Sequence, residues 1–152
     1  MLAELIRKIP GTTVYVAETQ HNRRNKAMNM GLTLWASEAA NPMQNSCDIA
    51  FHTSAQQEGL ETALDSVGQE GVVIELSWYG DRQIQLSLGG TFHAQRKAIR
   101  ASQVSTIAPQ KQLRWDLRRR KTLVFDLLKD DRFDQLLTDS VTFEGLPNFF
   151  SE

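Results

Sequence analysis

The chain has 152 residues and a formal net charge of −1 at pH 7, which fits one domain with a core large enough to fold alone and gives no global electrostatic pull toward nucleic acid or membrane. Cys47 is the one cysteine, so an intrachain disulfide is excluded and a cytoplasmic location is the expectation. No apolar run approaches the roughly 18 residues of a membrane span, and the N-terminus lacks the charged, apolar and cleavage regions of a signal peptide.

Leu2, Leu5, Ile6 and Ile9 fall at i, i+3, i+4, i+7, one apolar face of a helix that Pro10-Gly11 stops. This helix begins without a cap, like an element cut from something longer. Thr12 to Ala17 is β-branched and aromatic, so a strand, ending at Glu18. Asn22 is a candidate cap for a short helix carrying Arg23, Arg24, Lys26, Ala27 and Met30, with Gly31 as its stop. Leu32–Ala36 reads as a strand, residues 37–46 as a polar loop, and Cys47–His52 as a strand. Leu60, Ala63, Leu64 and Val67 repeat the helical spacing up to Gly68.

Gly71 to Gly80 follows, the stretch around which the rest is organised. Val72, Val73, Ile74 and Leu76 form a continuous apolar run, the pattern of a strand covered on both faces. It ends in Ser77-Trp78-Tyr79-Gly80. This order of helices and strands predicts an α/β fold with a parallel sheet. Ligands of open α/β sheets bind outside the carboxyl ends of the strands, so Ser77, Trp78 and Tyr79 are either one wall of a site or a turn with two packing aromatics. Downstream, Ile84, Leu86 and Leu88 alternate with polar residues and predict a half-exposed strand, and Lys97–Ser102 another. Leu117, Val124, Leu127 and Leu128 mark a helix face capped by Asp116. Phe133, Leu136 and Leu137 mark a shorter helix, Val141–Phe143 is extended, and Pro147 suits a helix's first turn.

Glu18, at a strand's carboxyl end, has the position of an acid that accepts hydrogen bonds from a dinucleotide's ribose; a solvated strand-end glutamate is the alternative. Arg23, five residues on, suits the same ribose or a phosphate, or is an exposed helix arginine. His52, Thr53 and Ser54 end a strand on the same rim as Glu18 and Ser77 if the sheet is parallel. His52 is then a hydrogen-bonding group or proton carrier, or a structural histidine. His21, His52, His93 and Cys47 occur singly, without metal-ligand spacing, so no zinc is expected. The basic run Arg118–Lys121 lies on a helix with Leu117, Leu123 and Val124 and reads as a solvated face rather than a nucleic-acid surface.

In this order the residues resemble the cofactor-binding half of the zinc-type alcohol dehydrogenases, the medium-chain dehydrogenase/reductase superfamily, over essentially the whole chain. The resemblance rests on Ile9-Pro10-Gly11-Thr12, Glu18 followed by Arg23, Lys26-Ala27, Gly31, the run Asp48–Ser54, Gly71–Gly80, Leu88-Gly89, Phe92-His93, Arg96, Ser102-Gln103-Val104 and Phe133–Thr138. It implies a Rossmann domain that holds NAD for hydride transfer between the nicotinamide and an alcohol or carbonyl substrate. Glu18 would match the ribose-binding acid and favour NAD over NADP, and Arg23 the cation beside it. His52, Thr53 and Ser54, with Ser77, Trp78 and Tyr79, would match turns beside the cofactor.

The family's Gly-x-Gly-x-x-Gly turn and first strand would lie upstream of Met1, as would its zinc-binding catalytic domain. The expectation is therefore a partial dinucleotide-binding domain over residues 1–108 with a helical extension over 109–152. Its NAD affinity is weak or lost, and it is inactive alone. A missing catalytic domain or a second copy is the expected partner, with no nucleic acid and no membrane. The alternative is a non-catalytic remnant acting as an interaction module. In the Rossmann order 3-2-1-4-5-6, strand 1 is central. Its loss would leave Thr12–Ala17 and Cys47–His52 either separated or paired directly.

Overall fold

The computed structural model describes residues 1–35 and 43–151. Its elements are α1 (Leu2–Ile6), β1 (Tyr15–Val16), α2 (His21–Asn29), β2 (Thr33–Leu34), β3 (Cys47–His52), α3 (Gln57–Ser66), β4 (Val67–Glu75), α4 (Thr91–Ala94), β5 (Ala98–Ala101), α5 (Leu117–Leu127) and α6 (Leu146–Phe149). Three 3-10 helices complete the set, the longest at Asp131–Leu136. The chain forms two compact units, one of Met1–Val16, Gln20–Leu34 and Ile107–Glu152, the other of Ala17–Thr19 and Trp35–Thr106.

In the first unit β1 and β2 pair in parallel, Tyr15 opposite Thr33 and Val16 opposite Leu34. Only these short stretches of the expected strands Thr12–Ala17 and Leu32–Ala36 form a ladder, and Ala36 lies outside the described residues, as does the start of the expected loop at 37–46. Helix α2 is held at its end by Gly31, whose φ of 70° is cheap for glycine. Gly31 N donates to Met28 O and Leu32 N to Ala27 O, the paired bonds of a Schellman stop. The Arg7 guanidinium donates to Met30 O and Gly31 O at 3.2 Å each. Gln20, not Asn22, occupies the N-cap of α2. Helix α1 ends at Ile6 rather than Ile9, and its buried side chain is Glu4, 1 % exposed. Arg7 at 2.9 Å and Arg132 at 3.6 Å from Glu4 offset by charge the cost of burying its carboxylate, whose oxygens have no well-oriented hydrogen bond among the described residues.

In the second unit β3, β4 and β5 form a parallel sheet with β4 in the middle. Leu60, Ala63 and Leu64 of α3 pack with Val67 and Val73 into the core. The spacing of these helix residues puts them on one face. Ala50, Val73 and Ile99 are register partners and so share one side of the sheet. The other side carries Ile49 and Phe51, both exposed, so β4 is not enclosed on both faces as its apolar run predicts. Strand β4 starts at Val67, earlier than expected, because the pairing jumps from Cys47↔Val67 to Ile49↔Val72. Gly68 to Gly71 bulge out of the ladder, with Glu70 at φ 59°.

Residues 84–88 form no strand. Ile84 and Leu86 still pack on the core cluster, so the alternation reports side-chain burial without a sheet partner. Lys97, 6 % exposed, donates to Leu64 O at 2.8 Å and Asn45 Oδ1 at 3.0 Å. It caps the Leu64 carbonyl in the last turn of α3, and burial lowers its pKa against the opposing pull of Asp65. Asp116 caps α5, accepting from Arg119 N at 2.7 Å.

Candidate functional site

The carboxyl ends of β3 and β4 bring two sequence-distant segments together. The register pairs His52 with Glu75, so both project to the side of the sheet covered by α3. His52 is 4 % and Glu75 11 % exposed at their side chains. His52 Nδ1 lies 2.8 Å from Glu75 Oε2 and 3.0 Å from Oε1. A carboxylate only accepts, so Nδ1 carries the proton and donates. His52 Nε2 is then the acceptor for the Ser54 hydroxyl at 2.7 Å.

Glu75 is the hub. Ser77 N donates to Oε1 at 2.7 Å and the Tyr79 hydroxyl to Oε2 at 2.9 Å. Burial pushes the Glu75 carboxyl up, but the bonds from Ser77, His52 and Tyr79 outweigh it and hold it below the usual range. Burial, then the bond to Glu75 and its negative charge, push the Tyr79 phenol up to about 12 against the opposing charge of Arg82. The Tyr79 ring stacks on His52 at 6.2 Å and 20°, and the Arg82 guanidinium lies 5.8 Å over that ring.

The turn between β3 and α3 is tied to the same place. Ala55 N donates to Ser77 Oγ at 3.0 Å, and Gln56 N to Ser54 Oγ at 3.2 Å. Ala55 adopts φ 53°, a left-handed conformation that costs a residue bearing a Cβ. A Cβ on Gly59 would lie 2.3 Å from Ser54 Oγ and 2.8 Å from His52 Nε2. Glycine is therefore the residue this contact requires.

Of the residues singled out from sequence, His52, Ser54, Ser77 and Tyr79 form one network. Thr53 is exposed beside it. Trp78 is 85 % exposed and is not among the network's hydrogen-bond partners. Glu18 is half-buried and Arg23 exposed, neither among the network's hydrogen-bond partners. Sequence reading passed over Glu75, Arg82 and Gly59. The signal for Glu75 was there: an acid inside an apolar run is costly unless it meets a partner.

The solved structures similar to this chain share its parallel α/β arrangement. The fold is Rossmann-like. The chain is similar to 2R,3R-butanediol dehydrogenase from Bacillus subtilis, at 16% identity and TM-score 0.63, over 86% of this chain and 37% of that one. It is similar to L-idonate 5-dehydrogenase from Escherichia coli, at 14% identity and TM-score 0.57, over 66% of this chain and 30% of that one. A putative zinc-binding dehydrogenase from Clostridium scindens matches at 15% identity and TM-score 0.56, over 85% of this chain and 43% of that one. The chain thus spans well under half the length of these dehydrogenases. No protein-family model matches the sequence, and no curated protein matches it.

Proposed function

We propose that this chain is the nicotinamide-dinucleotide-binding part of a zinc-type dehydrogenase, serving hydride transfer only together with a catalytic domain. The observation that carries the reading is the convergence of His52–Ser54 and Ser77–Tyr79 at the carboxyl edge of a parallel sheet, where dinucleotide folds bind their ligand. The likeness in fold to solved dehydrogenases supports it.

In this reading Glu18 accepts from the adenosine ribose hydroxyls and disfavours a 2′-phosphate. Thr53 and Ser54 present exposed hydroxyls beside the nicotinamide, on a turn that Ala55 and Ser77 brace. When bound, the nicotinamide supplies the hydride-accepting carbon. Zinc is a different matter. Among the described residues no group of three His, Cys, Asp or Glu side chains could hold a metal, so these residues do not fit the zinc of such enzymes.

Calorimetry with NAD and NADP tests the reading. We expect weak NAD binding by the chain of 152 residues. An upstream strand and Gly-x-Gly-x-x-Gly turn would add two charge-assisted phosphate bonds and raise affinity roughly a hundredfold to ten-thousandfold. Glu18→Ala in the extended chain should reduce the preference for NAD over NADP. An extended chain that binds neither nucleotide would leave the likeness one of fold alone. The second reading, an interaction module, is favoured by exposed apolar residues along α5, where Leu117, Val124, Phe125 and Leu128 are 46, 46, 66 and 39 % exposed and share one side of the helix.

A further inference from the structure

We propose that Ser54, His52 and Glu75 form a nucleophile–base–acid chain that cleaves carboxylic esters, an activity that needs no dinucleotide although it uses the turn assigned above to the nicotinamide. The geometry is that of an activated serine: Ser54 Oγ to His52 Nε2 is 2.7 Å, and His52 Nδ1 to the Glu75 carboxylate is 2.8 Å. Such a pairing of nucleophile and base, with the base oriented by a third group, is recognised by geometry and roles rather than by fold.

Burial grades in the useful direction. His52 is buried, Glu75 is half-buried with its side chain 11 % exposed, and Ser54 is exposed. The nucleophile therefore meets solvent, and the groups that activate it are shielded from water. The protonation state is fixed by chemistry, since a carboxylate can only accept from Nδ1 and leaves Nε2 free to take the serine proton. Ser77 N and the Tyr79 hydroxyl hold the carboxylate in place. Ser54 stands on a strand–turn–helix junction with a left-handed Ala55 next to it, and Gly59 leaves the space that the serine and the imidazole share. Backbone strain of this kind concentrates at functional sites.

In the reaction Ser54 Oγ attacks the ester carbonyl carbon and its proton passes to His52 Nε2. The bond from that carbon to the leaving oxygen breaks, and His52 returns the proton to that oxygen. Water repeats the sequence on the acyl-serine, giving its proton to Nε2 and releasing the acid with Ser54 restored. Glu75 touches no reacting atom and is a positioning residue.

The test is labelling of the purified full chain with an alkyl fluorophosphonate, read by intact mass and peptide mapping, beside release of nitrophenolate from p-nitrophenyl acetate. Labelling forms the Oγ–P bond and expels fluoride. We expect one label, on Ser54, and ester cleavage above that of Ser54→Ala. His52→Gln should slow both about a hundredfold or more. Glu75→Gln should slow labelling and lower kcat for p-nitrophenyl acetate with KM unchanged, and Glu75→Asp should recover part of the rate. The ionisable groups facing His52 are Glu75 and Tyr79, with Arg82 above the Tyr79 ring. Ser105→Ala, which changes a serine hydrogen-bonded to Gln103 and outside the network, should label like the parent. Circular dichroism of each variant shows whether it is folded. A parent chain that stays unlabelled, labels elsewhere, or cleaves no faster than Ser54→Ala overturns the proposal. So does folded His52→Gln reacting at the parent rate.

Discussion

Glu75 shows how one residue ties two strand ends together. Its carboxylate accepts from His52, Ser77 N and Tyr79, and each bond favours the ionised form. With its folded pKa lowered, Glu75 contributes stability that is complete above the ordinary carboxylate value. That stability is lost as pH falls through the lower folded value. Tyr79 carries the opposite sign. Its phenol is pushed up to about 12, so its contribution is complete below the ordinary phenol value. It is lost as pH rises through the folded one. Ultraviolet titration should therefore find one of the two tyrosines ionising late, and Tyr79→Phe should remove that late step. The same variant deletes a hydrogen bond to a charged acceptor and should cost about 1.5–3 kcal/mol in urea unfolding at neutral pH. Two tyrosines titrating together at the ordinary value would show that the hydroxyl is not held by Glu75.

Among the elements, α3 contributes the most to the core. Leu60, 4 % exposed, packs in the cluster with Ala63, Leu64, Val67 and Val73. Leu60→Ala removes that contact and leaves a cavity, so denaturant unfolding should register a loss of about 2–5 kcal/mol. A domain holds only about 5–15 kcal/mol in total, so this variant should be marginal at physiological temperature. A loss under about 1 kcal/mol would mean that α3 can collapse onto the sheet. Helix α5 is built differently. It has a side-chain cap at Asp116 but no buried residue, so capping and local bonds hold it rather than packing.

At the scale of the molecule, the two compact units differ in what they bury. The unit containing β3, β4 and β5 holds the cluster of Leu60, Ala63, Leu64, Val67 and Val73. Among the described residues of the other, the buried hydrophobics are Ala27 and Phe133, beside the ion-paired Glu4. Opening free energy follows buried apolar contact. Amide hydrogen exchange should therefore be slowest in β4, which is bonded on both edges, and faster in the two-residue strands β1 and β2. Protection at Tyr15 and Val16 exceeding that at Val73 and Ile74 would reverse this ranking.

What the sequence determined by itself was the identity of its local segments. Cys47–His52 appears with the expected bounds, because a short β-rich run between turn residues has few other low-energy conformations. Helix α3 follows from the spacing of Leu60, Ala63 and Leu64, and the stop at Gly31 from glycine's freedom at positive φ. The parallel α/β class was legible in the same way, from the order of these elements.

Only the tertiary structure decided which of those segments found partners. Residues 84–87 alternate in burial like a strand yet make no ladder, since periodicity specifies a face and not a neighbour. Glu4 became the buried residue of α1 because Arg7 and Arg132 reach it, and Arg132 is remote in sequence. The candidate site was half legible. His52, Ser54, Ser77 and Tyr79 were marked by their place after strand ends, but the Glu75 carboxylate joins them only through the register that sets it opposite His52. A one-residue slip would turn Glu75 to the other face; that register comes from packing α3 against the sheet, a cooperative contact no single segment encodes.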